Sequence, residues 1–286
     1  MKGESYFKKI LVPIDGSHSC LHAEELAAGI AKNFKSKVTV IHVVSHDLLN
    51  AALELRYRVS PSVRTEITNW LLQTGKKIIW DAEALFKEEG IAVDARLVEY
   101  EDPAETILRV ATDEEFDLIV IGNRGETEVE VFSLGSITEK VSRHAECPVL
   151  IVKQRTKLSK ILVAVDGSET AEKALEYAVQ LAKKHKAKVT LLNVGESKIF
   201  GLKPEVARKI GESILSDAAA KTKGFKLNTR LEFGNAAETI IEIAEKENYD
   251  LIVVGSRGLS SVKRFFLGSV SDDVSHHAKC SVLIAR

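Results

Sequence analysis

The residues best suited to chemistry lie in two glycine-framed stretches. The first to consider, "GSRGLSSVKRFFLGS" from Gly255 to Ser269, combines three glycines with serine hydroxyls and the cations Arg257, Lys263 and Arg264. Glycine lets backbone N–H groups approach an anion closely, and such N–H clusters form anion-binding concavities. Gly268 and Ser269 precede "VSDDVSHHA", which can open a helix. The N-terminus of a helix offers free N–H groups and a favourable dipole to a phosphate. The stretch "GNRGETEVEVFSLGS", from Gly122 to Ser136, repeats the same G-x-x-G-x9-G-S frame. Its centre instead carries Glu126, Glu128 and Glu130. Between the outer glycines the charge is +3 in the later stretch, and −2 in the earlier one once Arg124 is counted. The predicted consequence is that the later stretch holds a polyanion at least about tenfold more tightly, at a few tenths of a kcal/mol per charge. The competing reading is a solvated face whose charges are screened to ~0–1 kcal/mol each.

Asp15 and Asp166 form the second candidate group. Each ends an apolar run and is followed by Gly-Ser. A carboxylate there can accept from ribose hydroxyls or hold a hydrated Mg²⁺. It can equally close an Asx-type turn or cap a helix. The repeated His144-x-x-Cys147 and His277-x-x-Cys280 adjoin apolar runs, where cysteine packs as a small hydrophobe more often than it ligates a metal. Trp70 and Trp80 are expected in the core or an interface. The chain has no Walker A lysine, no G-x-S-x-G and no H-E-x-x-H. It offers no arguable nucleophile–base pair, so no catalytic residue is expected.

The elements that must position these residues are written twice. "KILVPIDGS" at Lys9–Ser17 recurs as "KILVAVDGS" at Lys160–Ser168, an offset of 151. "FDLIVIGNRG" from Phe116 recurs as "YDLIVVGSRG" from Tyr249, an offset of 133. The first copy therefore holds 18 extra residues, placed most simply within Ser45–Gly90. The copies are read as domains 1–153 and 160–286, joined by the polar Gln154–Ser159. Within each copy short β-branched runs alternate with helical periodicity, as in buried parallel strands joined by helices. Ala174, Ala178, Leu181 and Ala182 share one helical stripe, and Ala237, Ile240, Ile241 and Ala244 another. Ser168 is a candidate helix N-cap. The fold class is thus α/β, with about five strands in each of two tandem doubly wound sheets. Ligands of such sheets sit beyond the carboxyl ends of the strands, where both the glycines and the aspartates fall.

The bulk numbers narrow the partners. A net charge of −1, from 40 basic and 41 acidic side chains, gives no electrostatic drive toward nucleic acid. Three cysteines without C-x-x-C point to a reducing compartment. No apolar segment suggests a leader or a membrane span, so a cytoplasmic location is expected.

With "PIDGS"/"AVDGS", "DLIVIG"/"DLIVVG" and the doubled glycine frame, the chain resembles a tandem universal stress protein of the ATP-binding branch. The resemblance implies a five-stranded parallel sheet of order 3-2-1-4-5 in each domain and pairing through the fifth strands as a pseudo-dimer. It implies ATP, or another adenine nucleotide, with Mg²⁺ held through water by Asp166 or Asp15. In the second copy Ala164, Val165, Asp166 and Val194 would surround adenine and ribose. Gly255, Arg257, Gly258, Gly268, Ser269, Val270 and Ser271 would surround the phosphates. The first copy offers Pro13, Ile14, Asp15 and Val43, with Gly122, Arg124, Gly125, Gly135, Ser136, Ile137 and Thr138. The sequence departs from the family at Ala164, where Pro13 keeps the usual proline. It departs again at "EDPAE" (Glu101–Glu105), which replaces the glycine-bearing "GNAAE" (Gly234–Glu238), and at the Glu-rich loop. The expected role is stress-response regulation by nucleotide binding, through an unknown protein partner, with a homodimer of the whole chain as a further expectation. The alternatives are a slow ATPase or adenylate-using enzyme, and a scaffold that has lost its ligand.

Overall fold

The computed structural model describes residues 6–45, 60–125, 134–195, 203–222, 224–258 and 267–286. The charged loop centres with Glu126, Glu128, Glu130, Lys263 and Arg264 lie outside the described residues.

In the first half β1 (Lys9–Pro13), β2 (Lys37–Ser45), β3 (Val93–Glu101), β4 (Leu118–Gly122) and β5 (Val149–Val152) form the sheet. The helices are α1 (His18–Phe34), α2 (Pro61–Glu88), α3 (Pro103–Asp113) and α4 (Ser136–His144). The second half repeats them as β6 (Lys160–Ala164), α5 (Glu169–His185), β7 (Lys188–Gly195), α6 (Pro204–Lys221) and β8 (Asn228–Phe233). It continues with α7 (Ala236–Lys246), β9 (Leu251–Gly255), α8 (Ser269–His277) and β10 (Ser281–Ala285). The order within each half is 3-2-1-4-5, and pairing is parallel.

The fifth strands close the gap between the halves. β5 and β10 pair antiparallel with Val149 opposite Ile284, Leu150 opposite Leu283 and Ile151 opposite Val282. Residues 150 and 283 are equivalent in the repeat, so the local pseudo-two-fold axis passes between them. All six side chains are fully buried. One ten-stranded sheet results, and the apolar cluster on each of its faces runs through both halves. An open edge this apolar would be a template for aggregation, and the pairing covers both copies of it.

The helices follow the expected stripes. Ala174, Ala178, Leu181 and Ala182 are buried, as are Ala237, Ile240 and Ala244. Ser168 caps α5 by accepting from the Ala171 amide, and Ser17 caps α1 by accepting from that of Cys20. Aromatic packing of Phe7 and Tyr6 against Tyr177 adds a second contact between halves, on the helical face.

Two expectations need correction. The extra residues of the first half are not confined to Ser45–Gly90. The repeat offset falls to 136 at Gly75/Gly211, 134 at Gly90/Gly224 and 133 only at Asp102/Asn235. The last extra residue is Tyr100, at φ +62°, where β3 bulges out of register with β2 between Val44 and Ser45. Trp70 and Trp80 are 65% and 66% exposed on α2, so of the two expected places, core or interface, the core is excluded. This helix outruns the sheet it covers, and residues 61–66 are all exposed.

Candidate functional site

The carboxyl ends of β6, β7 and β9, the N-terminus of α8 and the inner face of α6 enclose a cavity of about 620 Å³ in the second half. It lies where the sheet order reverses between strands one and four, the usual ligand position in such folds. One wall is apolar, with Leu192, Val194, Ile210 and Ile214; the other is built from Asp166, Arg257 and the glycine frame. Ala164, Val165, Asp166, Val194, Gly255, Arg257, Gly258, Gly268, Ser269, Val270 and Ser271, separated by up to 107 positions in sequence, all line it.

Several of these residues are placed by a specific contact. A methyl group on Gly255 would sit 2.6 Å from Thr170 Oγ1 and 2.8 Å from the Ala171 amide nitrogen. This strand-end glycine lets the first turn of α5 pack directly on β9. Gly258 works differently. Its added Cβ would lie 2.8 Å from Asp166 Oδ2, so the loop passes close over the carboxylate, which any side chain here would have to displace. The loop is tied down from beneath, since its Arg257 carbonyl accepts from Thr170 Oγ1 at 2.5 Å and from Ser168 Oγ at 3.3 Å. Its far end is fixed by the Gly268 amide donating to the Ser256 carbonyl at 2.7 Å.

Asp166 divides its two oxygens. Oδ1 accepts from the Ser168 amide at 3.0 Å and from Ser168 Oγ at 2.6 Å, closing an Asx turn. Oδ2 is directed toward Gly258. One carboxylate oxygen suits a water of hydrated Mg²⁺ and is too little for a protein cage around the bare ion. Among the described residues no cluster of three His, Cys, Asp or Glu could hold a metal by itself. Ser271 directs its hydroxyl inward, to the Ser256 and Gly268 carbonyls. At Ser271, α8 therefore does not offer its hydroxyl to the cavity. Gly268 stands at its N-cap without a side-chain cap, leaving the first-turn N–H groups for a ligand.

The first half repeats this scaffold closely. The Arg124 carbonyl accepts from Ser19 Oγ at 2.5 Å and Ser17 Oγ at 3.1 Å. A Cβ on Gly125 would lie 2.8 Å from Asp15 Oδ2, and one on Gly122 would meet Ser19 and Cys20 of α1. Asp15 Oδ1 accepts from the Ser17 amide at 2.9 Å. Gly135 caps α4, whose Ser136 and Ile137 are exposed, while Thr138 donates to the Gly122 carbonyl at 2.7 Å. Pro13 and Ile14 are buried and Val43 is half-buried beside them.

Some positions were not singled out from the sequence. Asn193 donates to the Val165 carbonyl at 2.7 Å, and His42 Nδ1, its equivalent, to the Ile14 carbonyl at 2.8 Å. Gly75 and Gly211 open the second helix of each half to that same side chain. A glycine in mid-helix was the available signal. So was the hydroxyl spacing of Ser17-x-Ser19 and Ser168-x-Thr170 directly after each Asp-Gly.

Several buried and half-buried groups surround this frame. Glu24, 6% exposed, accepts from the Cys20 thiol at 3.2 Å. Burial, with the nearby Asp15 and Asp81 charges, raises its pKa to about 7 against the opposing effect of the Cys20 bond. The Cys20 thiol is itself pushed well up by burial and by Glu24. Lys153 is lowered to about 8 by burial, with Arg124 adding repulsion. Arg286 is lowered to about 10 by burial, with Arg257 adding repulsion.

The universal stress protein family profile matches residues 6–153 and again 157–286. The chain belongs to the universal stress protein family. A universal stress protein of Staphylococcus aureus strain USA300 is 39% identical over 137 residues, 44% of this chain and 82% of its own length. The crystal structure of a universal stress protein from Archaeoglobus fulgidus DSM 4304 covers 99% of this chain, with 98% of its own length aligned, at 22% identity and a TM-score of 0.72. That likeness extends the tandem fold over the whole molecule. A universal stress protein solved in complex with cAMP covers 46% of this chain and 99% of its own, at 26% identity and a TM-score of 0.38.

Proposed function

We propose that this universal stress protein binds ATP at the carboxyl ends of its parallel strands, with the second half as the primary site, and serves stress-response regulation with slow or no turnover. The reading is carried by one observation. The second-half cavity joins an apolar wall wide enough for a base to an uncapped helix N-terminus, a glycine loop and Arg257. Leu192, Val194 and Ile210 would hold the adenine, and Asp166 Oδ2 would face a ribose hydroxyl or a water of Mg²⁺. The α8 amides with Arg257 would neutralise the phosphates. Mg²⁺ would arrive with the nucleotide and screen its negative charge. A turnover role finds little support, because the nearby Asp272 is engaged by Arg143 at 3.0 Å and Asp166 Oδ1 by Ser168. The direct test is mass spectrometry of nucleotide released from the purified, denatured protein, with its stoichiometry per chain. An adenine nucleotide near one equivalent supports the reading. Protein free of nucleotide that also gives no calorimetric heat with MgATP overturns it. Multiple-turnover phosphate release would move the protein to the enzymes.

A further inference from the structure

The two helices that face the candidate sites are each gripped by the opposite half, and the grip is unequal. Lys153 follows β5 of the first half, yet its Nζ donates to the Ala278 carbonyl at 2.6 Å and the His276 carbonyl at 3.2 Å. Those carbonyls are at the C-terminal end of α8, in the second half. Arg286 follows β10 and donates in return to the Ser142 carbonyl in the last turn of α4. A cation at a helix C-terminus satisfies orphan carbonyls and favours the helix dipole. The second-half helix has an additional hold. Arg143 of α4 reaches Asp272 in the first turn of α8 at 3.0 Å, while also pairing with Glu139 of its own helix at 3.1 Å. Asp272 and Glu139 occupy equivalent positions in the repeat, three residues past the serine that opens each helix. One first-half guanidinium thus offsets the acidic first-turn residue of both anion-facing helices. The residue equivalent to Arg143 in the second half is His276, whose Nδ1 donates to the Asp272 carbonyl at 2.9 Å and lies 3.8 Å from Asp272 Oδ1 of its own helix.

We propose that Lys153 and Arg143 of the first half are positioning residues for the phosphate seat of the second half. Lys153 completes the C-terminal end of α8, which is nine residues or about 13 Å long, so the partial positive charge at the other end is kept for the ligand. Arg143 cancels a carboxylate that would otherwise repel phosphate from the same helix end. The amide of Asn123, next to Arg124 in the first-half loop, donates to the Val152 carbonyl at 3.0 Å, one residue before Lys153. This places the grip one backbone hydrogen bond from the first-half glycine loop, and makes that half a support for its neighbour's site.

The inference rests on the ATP reading, and the experiment separates the two. Binding of MgATP and of adenosine is measured by calorimetry on the full chain carrying Gly125→Val, which leaves the second site to be read alone. Lys153→Met and Arg143→Met are each expected to weaken MgATP about three- to tenfold and to leave adenosine unchanged, because only the phosphates meet the helix end. Lys153→Arg is expected to restore MgATP affinity. Leu283→Ala, which loosens the strand pairing without touching a cation, is the control and is expected to alter neither ligand's affinity. Absence of MgATP binding in the unsubstituted chain overturns the ATP reading and this inference with it, and binding there that Gly125→Val abolishes puts the nucleotide in the first half and overturns the inference alone. MgATP binding that is unchanged in both Met variants overturns the inference alone. Equal losses for ATP and adenosine, or a loss in Leu283→Ala matching that in Lys153→Met, also overturn it, since they report general loosening of the interface.

Discussion

Behind Asp15 the first half buries Cys20 and Glu24; at the equivalent positions behind Asp166 the second half has Ala171 and Leu175. Around these pairs the two scaffolds match closely. The Arg124 and Arg257 carbonyls accept from equivalent paired hydroxyls, and a Cβ added at Gly125 or Gly258 would lie the same 2.8 Å from its aspartate Oδ2. The strand-end geometry is therefore insensitive to what fills the core beneath it. The glycines and hydroxyls hold the loop, and the layer below is free to become polar. The difference is felt in energy, because a buried carboxyl is stable only while protonated, hydrogen-bonded or both.

The largest loss of stability is expected at the shared seam. Leu150→Ala and Leu283→Ala each remove a fully buried side chain from equivalent places, and each should cost about 2–5 kcal/mol in urea unfolding. The double variant should depart from additivity, because the two residues face each other in the ladder. Two separate unfolding transitions in the parent chain would show instead that the halves are energetically independent.

Glu24→Leu copies the second-half core into the first. The folded-state pKa of Glu24 is raised to about 7 from an ordinary 4.5, so the folded protein holds this proton more tightly than the unfolded chain. Its contribution to stability is present in full below about pH 4.5 and is lost as pH rises to about 7. The leucine variant should thus gain on the parent across that window, by up to ~3 kcal/mol, and the gain should level off above it. A stability difference independent of pH between 4 and 8 would mean that Glu24 is not held protonated.

Gly258→Val and Gly125→Val compare the sites themselves. The added side chain meets the aspartate carboxylate in either half. In the second half the expected loss of MgATP affinity is at least tenfold, about 1.4 kcal/mol. In the first half the loss in total binding should be smaller, if the second half is the primary site. Equal losses would make the sites equivalent.

A smaller change is expected from the charges at the loop centres. In the Gly258→Val chain, the combined Glu126→Leu, Glu128→Ser, Glu130→Lys and Val131→Arg substitutions copy the second loop's charges into the first. MgATP affinity at low salt should rise several-fold at the first site, and the gain should shrink as salt is added. An unchanged affinity would make these glutamates a solvated face.

The repeat, the strand–helix alternation and the glycine frame were legible in the sequence because each rests on local rules. Buried parallel strands demand apolar β-branched runs, and helices need stripes and caps. A Cβ at Gly125 or Gly258 would come within 2.8 Å of an aspartate carboxylate, which disfavours a side chain at either position, and these glycines recur at fixed spacing. Pairing of the fifth strands also followed, from the apolar edge and the family resemblance. Other features depend on residues far apart in the chain meeting in space. No local pattern reveals that Thr138 and Ser271 turn their hydroxyls inward, or that Tyr100 is the extra residue of a bulge. Nor does one place Lys153 and Arg143 on α8, across a seam between residues more than 120 positions apart. The antiparallel seam fixes which helix end each strand-end cation can reach, and that geometry exists only once both halves have folded against each other.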